Sequence, residues 1–115
     1  MTVIGDIRGK TVLMVDDLTE TAGTLTSAAR LLEQKGAKQI FACVSHALLT
    51  DVAVERLRKS NIDELITTDT VPRPAYSGIK LTTLSVAGLL GEAIKRIHNN
   101  SSVTSLFEFK GGRTS

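Results

Sequence analysis

Residues 10–25 read KTVLMVDDLTETAGTL. This stretch joins an apolar run, a pair of carboxylates, and a short loop of Thr, Ala and Gly that opens onto a helical pattern. Residues 11–15 form the continuous apolar run expected of a strand covered on both faces. From Thr24 the period changes. Leu25, Ala28, Ala29 and Leu32 fall on one helical face, and Gly36 follows as a helix stop.

Outward from this stretch the same alternation continues. Residues 39–44 repeat the buried-strand pattern. Thr50 or Asp51 is placed to cap a second helix with Ala53, Val54 and Leu57 turned inward. Residues 64–67 and 80–84 are short strand candidates, and residues 68–78, which hold both prolines, read as a loop. Ser85 is placed to cap the clearest helix. Its inward face is Val86, Leu89, Leu90, Ala93, Ile94 and Ile97, with Glu92 and Arg96 as an outer i,i+4 pair. Strands alternating with helices predict an α/β fold with a mostly parallel sheet. Ligands bind such sheets beyond the carboxyl ends of their strands, which here is residues 16–24. A single domain over residues 1–108 is expected, with a disordered tail at 109–115.

Composition narrows the function classes. The chain has 115 residues, enough for one domain with its own core. With three Phe, one Tyr and no Trp, that core must be aliphatic. A formal charge of +2, spread along the chain, argues against nucleic acid or an anionic membrane as partner. No apolar stretch approaches the roughly 18 residues of a membrane span, and the first ten residues lack a secretory apolar block. Cys43 is the only cysteine and sits in an apolar run, so it reads as packing. These features predict a soluble cytoplasmic domain.

The chemistry concentrates at the first strand end. Ala22 and Gly23 are small enough for an anion to reach the backbone, and Thr21 and Thr24 can add hydroxyl donors. Asp16 and Asp17 are costly at the end of a buried strand unless something uses them. They suit vicinal hydroxyls of a ribose, or a Mg²⁺ held directly or through water. Glu20 is less comfortable: it repels a phosphate unless a metal or a basic side chain lies between. His46 follows the second strand near the same sheet edge, and Thr67 to Thr70 could line the crevice. His98 closes the last helix, where it complements the dipole.

VDDLTETAGTL resembles the phosphoribosyl pyrophosphate loop of type I phosphoribosyltransferases, in which two acids and two variable residues precede an acid, Thr, two small residues and Thr. Further segments narrow the resemblance to the ribose-phosphate pyrophosphokinases. They are VIGDIRGKTVLMVDD, KGAKQIFACVSHALL, SNIDELITTDTVP and LSVAGLLGEAIKRIHNNSSVTSLFE, in order along nearly the whole chain.

The resemblance implies a phosphoribosyltransferase-like, Rossmann-like three-layer fold and a reaction: transfer of diphosphate from ATP to ribose 5-phosphate, with Mg²⁺. It implies that Asp16 binds the ribose hydroxyls, that Asp17 supports it or the metal, and that Glu20, Thr21, Ala22, Gly23 and Thr24 cradle the 5-phosphate. Glu20 stands where the family usually has Asp. His46 is implied as a near-site residue, and Ser102 and Thr104 as candidates for a regulatory phosphate or ADP site. Assembly into a homo-oligomer, a hexamer in the family, is also implied. Enzymes of this family are much longer, and their amino-terminal half carries most of the ATP site. The chain is therefore expected to be a carboxy-terminal domain with no catalytic residue of its own, inactive alone.

Three rivals compete. A response-regulator receiver domain shares the VLMVDD opening but needs a phosphoacceptor Asp ending the third strand, usually before a Met-Pro turn, and a Lys-Pro further on; here the next strand runs into Ser45 and His46, and neither dipeptide occurs. A regulatory synthetase-associated subunit would tolerate a degraded loop, whereas TAGT is intact here. A phosphoribosyltransferase acting on a base needs a recognition hood that these residues do not resemble.

Overall fold

The computed structural model describes residues 2–72 and 78–108. The expected tail at 109–115, and Pro74 of the proline loop, lie outside the described residues. The chain divides into two compact units, residues 1–84 and 85–115.

The first unit is a four-stranded parallel sheet in the order β1-β2-β3-β4, with β1 Thr11–Thr19, β2 Gln39–Ala47, β3 Glu64–Thr68 and β4 Leu81–Leu84. Helices α1 (Gly23–Gln34) and α2 (Asp51–Arg58) connect the first three strands. Because the strand order advances in one direction and parallel crossovers share a hand, both helices cover the same face. The buried residues bear this out. Leu25 and Ala29 of α1 and Ala53, Val54 and Leu57 of α2 are buried, as are Ile40, Ala42, Val44, Leu65 and Thr67 at alternate positions of β2 and β3. Most of these form one contiguous core cluster, with Met14 and Leu81 packed against it.

The opposite face differs from expectation. Residues 11–15 do not form a strand covered on both sides: Leu13 is 57% exposed and Val15 74%, because both crossovers run over the other face. On this face Phe41, Cys43 and Ile66 are half-buried, so Cys43 packs less deeply than its apolar surroundings imply.

Local signals at the helix ends largely hold. Thr50 is the N-cap of α2, its hydroxyl accepting the Ala53 N–H at 3.3 Å. Gly36 ends α1 with φ of 90°, a left-handed conformation that favours glycine. The Gly36 N–H bonds the Glu33 carbonyl at 2.9 Å and the Ala37 N–H bonds that of Leu32 at 3.0 Å, the paired bonds of a Schellman stop.

Glu64, at the start of β3, accepts a hydrogen bond from the Thr82 hydroxyl and pairs with Lys80 Nζ at 3.5 Å. The Thr82 hydrogen bond is the main cause holding its carboxyl below the ordinary value of 4.5, with Lys80 adding to it. A depressed folded-state pKa contributes stability that is complete above the unfolded value and is lost as pH falls through the folded one. Thermal denaturation of the wild type and of Glu64→Gln is therefore expected to show the wild type ahead near neutrality. That advantage should close as pH drops below 4.5. A gap that stays constant down to strongly acid pH would contradict the link.

The second unit contains α3 (Ala87–His98) and a short 3₁₀ helix, η1 (Thr104–Phe107). Ser85 is not at the N-cap position, which falls on Val86, but its hydroxyl still accepts the Ala87 N–H at 3.2 Å. The Glu92–Arg96 pair forms at 3.0 Å. The expected inward face is not buried: Leu89, Leu90, Ile94 and Ile97 are all more than half exposed. Sequence periodicity identifies this apolar stripe but does not supply its cover.

Candidate functional site

The strand-to-helix passage of the first unit makes a cavity of about 190 Å³, lined by Asp16, Leu18, Thr19, Glu20, Thr21, Ala22, Gly23, Thr24 and Leu25. Six of the expected seat residues, Asp16 and Glu20 through Thr24, therefore share one concavity.

Its architecture follows from where the backbone carbonyls go. The Thr19 carbonyl accepts the Leu48 N–H at 2.9 Å, and the Glu20 carbonyl accepts the Thr50 hydroxyl at 3.1 Å and the Thr50 N–H at 3.3 Å. The Thr21 carbonyl accepts Arg56 Nη1 at 3.1 Å. The Ala22 carbonyl accepts the Thr26 N–H at 3.0 Å and its hydroxyl at 2.7 Å. In a planar trans peptide, the C=O of one residue and the N–H of the next point in opposite directions. With these carbonyls held by the protein, the N–H groups of Glu20, Thr21, Ala22 and Gly23 are turned the other way. The helix start adds N–H groups with no intrahelical acceptor and the positive end of its dipole. Such an array binds an anion.

Ala22, the N-cap of α1, sits at φ 58° and ψ 14°, in the left-handed region, and is 2% exposed. That conformation costs a non-glycine residue about 1–2 kcal/mol. It persists because the flanking carbonyls are tied on both sides, and it curls the backbone around the cavity. Gly23 leaves room for the end of the Arg56 side chain. A Cβ there would lie 3.0 Å from Arg56 Nη1 and 3.7 Å from Thr21 Oγ1.

The two aspartates separate. Both lie inside β1, which extends to Thr19, beyond the expected end of the strand, and both are exposed. Asp16 lines the cavity, whereas Asp17 is not among its lining residues. Each carboxylate also bonds the next N–H along the chain: Asp16 Oδ1 accepts from Asp17 at 2.8 Å and Asp17 Oδ1 from Leu18 at 2.7 Å. Among the described residues no group of three or more His, Cys, Asp or Glu side chains is gathered to hold a metal.

His46 lies in β2 opposite Leu18, at the same sheet edge, but outside the cavity lining. Its Nδ1 is 2.7 Å from the Thr70 hydroxyl. The Thr68 hydroxyl donates to the Ser45 carbonyl at 2.6 Å, so this edge is tied by a small hydroxyl network. Thr67 does not line the crevice. Its hydroxyl is buried on the helix-covered face and has no hydrogen-bond partner among the described residues. Ser102 and Thr104 belong to the second unit, with their hydroxyls 3.1 Å apart in a turn that leads into η1.

A larger groove of about 610 Å³ lies between α1 and α2, lined among others by Arg30, Arg56, Lys59, Ser60 and Asn61. Several of its polar groups already have protein partners. Asn61 donates to the Ala29 carbonyl, Ser60 to that of Leu57, and Lys59 pairs with Glu55. The smaller cavity is lined by the residues whose N–H groups stand opposite the held carbonyls. Sequence reading missed two residues that make it, Thr50 in its second role as an anchor of Glu20, and Arg56. Their separations of 30 and 35 residues from their partners leave no local signal.

No described helix is long and apolar enough to cross a membrane. The chain is similar to the ribose-phosphate pyrophosphokinase of Synechococcus elongatus, 50% identical over 109 residues that cover 93% of this chain and 33% of the relative. It is likewise similar to ribose-phosphate pyrophosphokinase 1, chloroplastic, of Arabidopsis thaliana, at 48% over 93% of this chain and 27% of the relative. Among solved structures, phosphoribosylpyrophosphate synthetase from Mycobacterium smegmatis matches with a TM-score of 0.77 and 36% identity, covering 85% of this chain and 33% of that one. The chain thus spans about a third of the length of these relatives. This likeness bears out the phosphoribosyltransferase-like α/β fold and displaces the receiver-domain reading. The model of the phosphoribosyl synthetase-associated domain matches residues 1–108, and the chain belongs to that family.

Proposed function

We propose that this chain is the ribose 5-phosphate-binding part, corresponding to the carboxy-terminal third, of an enzyme that transfers diphosphate from ATP to ribose 5-phosphate. The observation that carries the reading is the run of consecutive carbonyls at Thr19 to Ala22 held by the protein, which leaves the following N–H groups turned away from those holders at residues that line a cavity together with Asp16. A phosphate suits the N–H groups, and a carboxylate at its side suits the hydroxyls of the attached sugar. What the seat contributes is positioning: it fixes the acceptor sugar so that its reacting hydroxyl is presented in one orientation. On this reading the chain binds ribose 5-phosphate and makes no phosphoribosyl pyrophosphate from ATP by itself.

The test is calorimetric titration of the 115-residue chain with ribose 5-phosphate, inorganic phosphate, ribose and free bases. Ribose 5-phosphate is expected to bind more tightly than phosphate, and free bases not at all. Asp16→Asn is expected to weaken ribose 5-phosphate about 10- to 100-fold, the worth of a hydrogen bond to a charged acceptor, and to leave phosphate unchanged. Equal affinity of wild type and Asp16→Asn for ribose 5-phosphate would overturn the sugar assignment. AMP release from ATP and ribose 5-phosphate by this chain would overturn its non-catalytic role. Preferential binding of a base would point instead to a phosphoribosyltransferase.

A further inference from the structure

We propose that Arg56 is a positioning residue for the anion loop, holding the Thr21–Ala22 peptide so that its N–H faces the cavity. The effect on ligand binding rests on the reading of residues 16–24 as a phosphate seat, whereas the effect on loop order does not.

Three observations converge on this side chain. The first is its hydrogen bond: Nη1 donates to the Thr21 carbonyl at 3.1 Å, across 35 residues of sequence. That peptide is the one immediately before Ala22, whose left-handed backbone needs external restraint. Thr50, at the start of the same helix, holds the preceding Glu20 carbonyl. One helix therefore grips two successive peptides, and the grip orients the N–H groups of Thr21 and Ala22 together.

The second is proximity to Gly23. The guanidinium lies 3.0 Å from where a Cβ would stand there, so any side chain at position 23 would press on the end of Arg56 that holds the loop. The small residue thus serves the back of the loop as well as the side an anion approaches.

The third is charge. Arg58 pairs with Glu55 at 3.3 Å and Lys59 pairs with the same carboxylate at 3.0 Å. Among the described residues no carboxylate makes such a pair with Arg56, whose guanidinium instead meets a neutral carbonyl. Its positive charge stands behind the loop and opposes the repulsion that Glu20, which lines the same cavity, would exert on an anion.

The experiment uses the full chain as wild type, Arg56→Met and Arg56→Lys, with Arg30→Met as a control that makes no bond to the loop. Methionine keeps an unbranched stem and removes both the charge and the donor; Arg56 is exposed, so the fold is expected to survive. Without ligand, amide hydrogen exchange at residues 21–24 is expected to rise about 10-fold in Arg56→Met, while β2 amides stay unchanged. Inorganic phosphate and ribose 5-phosphate are both expected to bind about 10-fold more weakly, with Arg56→Lys restoring part of the loss. The joint loss differs from Asp16→Asn, which spares phosphate. Unchanged loop exchange in Arg56→Met overturns the proposal, as does a loss of affinity equal to that of Arg30→Met. If the wild type binds neither ligand, the functional reading fails while the exchange data still decide the positioning role.

Discussion

Replacement of Gly23 by valine is expected to lower the affinity of the chain for both inorganic phosphate and ribose 5-phosphate by about a hundredfold or more. A Cβ at this position already stands 3.0 Å from Arg56 Nη1, tighter than an ordinary contact. A β-branched side chain adds two further carbons, which must displace the guanidinium from the Thr21 carbonyl or occupy the approach to the N–H groups of Ala22 and Gly23. Either way two or more charge-assisted hydrogen bonds are lost, together worth about 3 kcal/mol, or roughly a hundredfold in affinity. Titration calorimetry measures the affinities, and far-UV circular dichroism verifies that the fold is retained. Binding within about threefold of wild type, a change of under 1 kcal/mol, would show that the loop does not need the close approach.

The largest effect on stability is expected at Leu65. This residue is 1% exposed, lies in β3 between Ala42 of β2 and Leu81 of β4, and joins Leu25 and Leu57 as one of the few large members of the core cluster. The others are mostly alanine, with Ala22, Ala42, Ala47 and Ala53 among them. An alanine's single methyl cannot re-orient to fill a void, so the cavity left by Leu65→Ala would collapse poorly. A loss of about 3–4 kcal/mol is expected, out of the 5–15 kcal/mol typical of a domain. Urea unfolding followed by circular dichroism reads it as a fall in midpoint at unchanged slope. A cost below about 1 kcal/mol would mean that β3 is not central to the core.

The contrast between Leu65 and the α3 stripe shows how far periodicity can be read. The helical spacing of Leu25, Ala29, Ala53, Val54 and Leu57 correctly identifies a buried face, because the sheet of this unit supplies its cover. Leu89, Leu90, Ile94 and Ile97 have an equally regular spacing, yet they remain largely exposed. A periodic pattern records which residues need a cover, not what covers them. The same limit applies at residues 11–15, where an unbroken apolar run signals two buried faces and only one is covered.

At the candidate site, sequence by itself determined the strand-loop-helix passage, the small residues at 22 and 23, the acid beside them, and the family to which the whole pattern belongs. Each is written in a few adjacent residues, since turn chemistry, helix starts and strand runs are local properties of the backbone. Tertiary structure alone decided that Asp16 joins the cavity lining while Asp17 does not, and that Thr67 turns into the core. It alone brought Thr50 and Arg56 onto the carbonyls of Glu20 and Thr21. The reason is physical: the direction of a peptide N–H is set by what holds its carbonyl, and here those holders lie 30 and 35 residues away, delivered by the packing of α2 against the sheet.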